Sequence, residues 1–394
     1  MTTPALTFSE YAVALESGEG LPYQIGKVLG VDPTPYQVLR HLVPESERRD
    51  RGTFFTSSAM AINLWSGAIE TLDAGSVVVD PTCGAGDLLV PAINRIVHDD
   101  ISDVVIRVRD IDEDLTRIAT ARLRRAGNST STVVDSAACD FLEDISALRD
   151  ATHVVLNPPF IPMVVAESWA SGRVNAAGVF TLRALSAMRP GARLLAVLPD
   201  VLRSGSRYAA WRSHVEQLGQ INRLEVLEVF DEHTDVHVFL LDVTVGESEH
   251  QATWQCDVQQ GQTLGDHAEV RVGPVVPHRD AESGPLCTYV TARALTAGVT
   301  LKRRFEGRKE RGPLVLVNRT TRPGDPKRLR ARLWSGAEEL AVENHLLVVV
   351  PKAGTTCDDL LAVLEGHRAA QFLDERIRCR HLTVASLKEI PWST

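Results

Sequence analysis

A short apolar run, Val77-Val78-Val79, ends in Asp80 and passes at once into Pro81-Thr82-Cys83-Gly84-Ala85-Gly86. A stretch of helical periodicity, 87–97, follows directly. Strand, glycine turn and helix in immediate succession leave few folds open. The glycines allow a tight turn and close approach of a ligand to the backbone. The helix start leaves free amides facing the turn. A dinucleotide loop of the Gly-x-Gly-x-x-Gly kind wants a third glycine where Leu89 stands. A phosphate loop wants Gly-Lys-Ser/Thr, and no lysine is present. An acid, Asp80, closes the strand instead and suits a cationic or hydrogen-donating ligand.

The alternation continues. A second apolar run, 104–108, leads to Asp110-Ile111-Asp112, and a helical pattern covers 114–125. Strands are expected at 132–134, 153–156, 193–198 and 221–229, with helices near 141–148, 180–188 and 208–218. Alternating strands and helices predict a parallel sheet with helices on both faces. The run 236–245 reads as a late antiparallel arm, and 8–15 and 36–42 as a small helical lead-in.

Successive strands end in acids. Asp110 can accept hydrogen bonds from a ribose diol, whereas Asp112 reads as a helix N-cap. Asp140 can accept from an amine while Phe141 packs on a planar base. Three such acids at three strand ends all fall on the carboxyl edge of one sheet.

The most specific signal is Asn157-Pro158-Pro159-Phe160, directly after the strand at 153–156. The Asn157 side chain and the Pro158 carbonyl can each accept one hydrogen of a planar amine. That turns the nitrogen lone pair toward an electrophile. The two prolines stiffen the turn and fix where the carbonyl points. Phe160 can stack on a base, worth roughly 1–3 kcal/mol.

These motifs, in this order, resemble the gamma class of N6-adenine DNA methyltransferases. Gly52-Thr53-Phe54-Phe55-Thr56 is similar to the motif that precedes the sheet. Asp80 to Gly86, Asp110 and Asp140-Phe141 match the cofactor motifs, and Asn157 to Phe160 the catalytic one. Arg189-Pro190-Gly191-Ala192-Arg193 is similar to the turn before the fifth strand. The resemblance spans residues 50–245. It implies an α/β fold: a Rossmann-like domain with a mostly parallel seven-stranded sheet, a helical lead-in and a smaller mixed C-terminal domain. It implies S-adenosyl-L-methionine as cofactor, held by Thr56 at the methionine carboxylate and by Asp80, Pro81, Gly84, Gly86, Asp110, Ile111, Asp140, Phe141 and Asn157. Asn157, Pro158, Pro159 and Phe160 would be catalytic, and Phe230 would stand beside a flipped adenine. The sequence departs from the family at Ser57, Thr82, Leu88 and Ala192.

The chain has 394 residues and a formal net charge of −9, so any nucleic-acid surface must be local. Residues 301–335 hold twelve Lys or Arg against three Asp or Glu. Within them Arg303, Arg304, Arg308, Arg328 and Arg330 are the expected contacts to double-stranded DNA. Domains are expected at 1–50, 51–247 and 248–394, the last for target recognition. Six cysteines without a Cys-x-x-Cys pair, and His233 and His237 without a helical Glu between them, argue against a metal site. No long apolar stretch or leader pattern appears, so a cytoplasmic chain away from membranes is expected. The resemblance to restriction-modification enzymes leaves room for a restriction or defence-system partner subunit. Three other readings share the same residues: a protein glutamine methyltransferase, an RNA methyltransferase, and a catalytically weak DNA-binding modification subunit.

Overall fold

The computed structural model describes residues 7–18, 34–44, 56–128, 130–227, 236–246, 254, 261–323, 325–378 and 380–392. The chain divides into two compact units, one of residues 1–203 and 207–252, the other of 204–206 and 253–394.

The first unit opens with α1 (Phe8–Ser17), α2 (Pro35–Leu42) and α3 (Ser58–Trp65). Thr7 and Glu10 form a reciprocal capping box at the start of α1, and Gly18 ends it in the left-handed conformation. Then come β1 (Val77–Asp80), α4 (Val90–His98), β2 (Val105–Asp110), α5 (Glu113–Ala126), β3 (Val133–Ala138) and β4 (His153–Leu156). Asp112 caps α5 by accepting from the amides of Asp114 and Leu115, as its position predicts.

A hairpin, β5 (Pro162–Glu167) and β6 (Ala170–Asn175), leaves the turn after β4. It is followed by α6 (Ala176–Ala187), β7 (Arg193–Pro199), α7 (Asp200–Ser204), α8 (Ala209–Leu218), β8 (Gly219–Val226) and β9 (Val238–Val245).

The main sheet has seven strands in the order β3-β2-β1-β4-β7-β9-β8. β3, β2, β1, β4 and β7 pair in parallel. β9 runs antiparallel to both its neighbours. This is the Rossmann-like, mostly parallel architecture of the sequence reading. The central strands are apolar throughout because helices cover both faces of a parallel sheet. β4 is buried along its length, and β7 along all but its first residue. The reversal in strand order between β1 and β4 puts a crevice at their carboxyl ends, where ligands bind in such sheets.

The lead-in helices are part of this unit. Tyr11, Ala12 and Val38 pack with Ile118 of α5 and with Ala85 of the glycine turn. The turn therefore rests on a fixed apolar support.

Residues 141–148, expected as a helix, are not one. They form turns and a single 3₁₀ turn, 146–148. The Asp140 carboxylate accepts from the Leu142 amide at 2.9 Å and Asp144 from the Ser146 amide at 2.9 Å. Such local side-chain bonds satisfy the amides without a helix.

The second unit contains α9 (Leu264–His267), β10 (Ala268–Val272), β11 (Leu286–Val290), α10 (Ala292–Ala297), β12 (Leu301–Arg304), β13 (Glu310–Arg311) and β14 (Leu314–Asn318). It continues with β15 (Ala331–Trp334), β16 (Glu339–Val342), β17 (Leu346–Pro351), α11 (Cys357–Glu365), α12 (His367–Arg376) and α13 (Val384–Lys388). Two four-stranded sheets, β10-β17-β14-β15 and β12-β11-β16-β13, make its frame. The three helices pack an apolar cluster, including Leu360, Leu373 and Leu387, against β10, β14 and β17.

Candidate active site

The glycine turn is held in place from three sides. The Cys83 amide donates to the Arg109 carbonyl at 2.8 Å. The Gly84 amide donates to Asp110 Oδ2 at 2.9 Å, which ties the first turn to the end of the second strand. Arg122 of α5 donates to the Ala85 carbonyl and to Asp87 Oδ1, the latter at 2.8 Å. Gly84 and Gly86 lie at φ +50° and +82°, a region other residues rarely adopt.

A cavity of about 500 Å³ opens between this turn and the residues after β4. Pro81, Thr82 and Gly84 form one side, with Asp110, Ile111, Asp112 and Leu115 beside them. Cys139, Asp140, Phe141 and Leu142 come from the end of β3. Asn157, Pro159 and Ile161 face them from the loop after β4, and Met163, Ala176 and Phe180 close the space. Phe141 is buried and its ring lies 5.3 Å from that of Phe180. The site thus combines acids with an apolar, aromatic wall. The volume suits a ligand of drug or cofactor size.

Burial raises the pKa of Asp110, opposed by amide hydrogen bonds to its carboxylate, and burial also raises that of Asp87, opposed by Arg122. Asp80 is 1% exposed and burial holds its pKa well above the usual carboxylate value. Its Oδ1 accepts from the Thr82 amide at 3.1 Å, while Oδ2 is buried with no hydrogen-bond partner among the described residues. Asp80 is not among the residues that line the cavity, so this oxygen is enclosed by the protein. Burial also pushes the Cys83 thiol well up, which leaves it a packing residue rather than a nucleophile.

Asn157 is half-buried and its Nδ2 donates to Thr56 Oγ1 at 3.0 Å. Thr56, just before α3, is 7% exposed. Pro158 is buried. Phe160 is half-buried against the apolar core, and its carbonyl accepts from Asn175 Nδ2 at 3.4 Å. Phe160 and Pro158 do not line the 500 Å³ cavity, nor does Gly86, which packs against Ala119. Phe230 and His233 lie outside the described residues, as do residues 52–55.

Sequence reasoning missed Met163, Ala176 and Phe180. A signal existed: Pro162-Met163-Val164-Val165 followed by Gly172 is a hairpin pattern.

The basic stretch of the second unit needs correcting. Arg303 and Arg328, expected to meet phosphates, are buried. Arg303 donates to the Asp280 carbonyl at 2.6 Å, meets Glu282 at 3.2 Å and lies over the Tyr289 ring. Arg328 is fully buried, pairing with Asp374 at 3.0 Å and donating to the Ile377 carbonyl at 2.8 Å. A guanidinium buried without such partners would be costly, so both residues hold the unit together. Arg304, Arg308 and Arg330 are exposed, as are Lys302, Arg311, Lys327 and Arg332.

Among the described residues no group of three or more His, Cys, Asp or Glu could hold a metal, and no helix is long and apolar enough to cross a membrane.

Neither a protein-family model nor a curated protein matches the chain. Solved structures do. One is a Listeria monocytogenes protein described as a class I S-adenosylmethionine-dependent methyltransferase, at 16% identity and TM-score 0.44, over 62% of this chain and 81% of that one. Another is the methyltransferase subunit of a type I restriction-modification system from Streptococcus thermophilus, at 18% identity and TM-score 0.40, over 54% and 49%. The type IIG restriction endonuclease BpuSI aligns over 97% of this chain and 60% of its own, at 12% identity and TM-score 0.48.

Proposed function

We propose that this chain transfers a methyl group from S-adenosyl-L-methionine to the exocyclic amine of adenine in DNA. One observation carries the reading. The glycine turn, the acids Asp110 and Asp140 and the side chain of Asn157 all border a single open cavity at the carboxyl edge of the sheet. Had side chains filled that space, the motifs would have no common chemistry.

The residues fit the cofactor. Asp110 and Asp140 offer carboxylate oxygens to the ribose hydroxyls and the adenine amine. Asp80, which the motif resemblance assigns to the amino group, is buried and does not line the cavity. Phe141, Phe180 and Leu115 give the base an apolar wall. When bound, the cofactor supplies an electrophilic methyl on a sulfonium.

Asn157 Oδ1 has no protein partner among the described residues, so it is open to one hydrogen of the target amine. By the motif resemblance the carbonyl of Pro158, a residue buried outside the cavity lining, would take the other, turning the nitrogen lone pair toward the methyl. Rate then comes from alignment, and no strong base is required. In a duplex the target amine faces its partner base, so the base must be extruded at a cost of a few kcal/mol. The exposed Arg304, Arg308 and Arg330 of the second unit are the phosphate contacts that would help offset it. With the resemblance goes a restriction-modification or phage-defence setting, in which a partner subunit would work beside this chain.

Tritium transfer from labelled cofactor to duplex DNA, RNA and protein tests the reading. Label in DNA is expected, lost in Asn157→Ala while calorimetry shows cofactor binding retained. Label in protein or RNA alone, or an active Asn157→Ala, overturns it.

A further inference from the structure

The contact between Asn157 and Thr56 joins residues 101 positions apart, and it raises a question the catalytic role of Asn157 leaves open. An amide side chain has one acceptor end and one donor end of nearly the same shape. Only one of its two orientations presents the oxygen to an amine; the other presents a second donor to a donor. The catalytic loop must choose between them.

We infer that Thr56 is the positioning residue that holds Asn157 in the first of these orientations. Its Oγ1 accepts from Asn157 Nδ2 at 3.0 Å, so the donor end is used up on the protein side and Oδ1 is left for the target. Thr56 is 7% exposed, so water competes little for that bond. Nor is Thr56 needed to cap α3. Ser57 does that, its hydroxyl accepting from the Met60 amide at 3.3 Å. The assignment differs from a contact to the cofactor carboxylate, which the motif resemblance implies for Thr56. It rests on the proposed function only in naming an amine as the group that Oδ1 receives.

Thr56→Val keeps the shape and removes the acceptor; Thr56→Ser keeps the acceptor. At saturating cofactor, the single-turnover rate of Thr56→Val should fall roughly ten-fold, the size of one lost hydrogen bond. Its cofactor affinity should stay within about two-fold, which is within the spread expected for a group that makes no direct contact. Thr56→Ser should restore the rate. An unchanged rate in Thr56→Val overturns the inference, and so does a loss confined to cofactor affinity. A second readout does not depend on any substrate. The Asn157 side-chain amide signal in a ¹⁵N spectrum, identified by its loss in Asn157→Ala, should shift and exchange faster with solvent in Thr56→Val. Identical signals in both proteins refute the contact. If no acceptor is methylated but the signal shifts, the proposed function fails and the positioning role stands.

Discussion

Replacing Gly86 and Gly84 by alanine, one at a time, separates two costs that the glycine turn carries. Both residues have positive φ, +82° and +50°. A Cβ in that region costs about 1–2 kcal/mol. Their surroundings differ. A Cβ at Gly84 would meet nothing within 4 Å. A Cβ at Gly86 would sit 3.2 Å from Ala119 Cβ and 3.4 Å from Ala119 Cα. Ala119 is fully buried in α5, so its backbone cannot give way cheaply. Overpacking of this kind costs about 1–3 kcal/mol. The unfolded chain gains order from alanine, which returns about 0.4–1 kcal/mol in each case. The balance is about 1 kcal/mol for Gly84→Ala and about 3 kcal/mol for Gly86→Ala. Hydrogen exchange on peptides from β1 and α5, followed against urea, measures the opening free energy of this unit without interference from the other. Equal losses in the two variants would refute the reasoning, as would a loss under about 1 kcal/mol in Gly86→Ala, because packing against α5 would then add nothing.

His153 lies in β4, 4% exposed, with its ring nitrogens 2.8 Å from Thr71 Oγ1 and 2.9 Å from Thr152 Oγ1. Burial, with Arg193 adding to it, lowers its pKa from 6.5 to about 4. The folded state therefore favours the neutral ring. Its contribution is complete above pH 6.5 and is lost as pH falls toward 4, in total roughly 3 kcal/mol. The difference in stability between the parent and His153→Gln, measured at pH 7 and pH 4, should shrink by that order; a pH-independent difference refutes it. In the second unit, Arg304→Ala with Arg308→Ala and Arg330→Ala should weaken DNA binding and flatten its dependence on salt, each phosphate contact adding about 0.9 to the slope. Unchanged slopes in a titration series would move the DNA surface elsewhere.

What was legible in the chain was local or was buried on both sides. β4 is found at the predicted residues because a central parallel strand must be apolar on both faces. The acids at 80, 110 and 140 and the Asn-Pro-Pro-Phe turn were legible because Asp80 and Asp110 close their strands, Asp140 stands two residues past its own, and Asn157 follows β4 directly. Residues 141–148 were misread because Leu142, Ile145 and Leu148 mimic a helical stripe, while Asp140 and Asp144 give the amides nearer partners. The fate of Arg303 and Arg328 was beyond sequence reading for another reason. Their partners, Glu282 and Asp374, are 21 and 46 residues away in the chain. The sheets of the second unit pose the same difficulty. β11 pairs with β12 next to it but also, in parallel, with β16 some fifty residues on.

The acids of the glycine turn bear on why it is built as it is. Burial raises Asp80, Asp87 and Asp110 together, and Asp110 and Asp87 each raise Asp80 further. A group whose folded pKa is raised stabilises the fold in full only below its unfolded value near 3.8, and that contribution is lost as pH rises through the folded value. Near neutral pH these carboxylates therefore work against the free chain. Arg122 offsets the charge at Asp87, and amide donors offset it in part at Asp110. At Asp80 Oδ2 the offset is absent. A turn selected for stability alone would place an asparagine or an apolar residue there. Keeping acids buried at strand ends makes sense beside a cavity whose ligand can bring further donors, as at Asp110 in the cavity wall, and a local rule broken in this way is what a binding site looks like in an otherwise consistent fold.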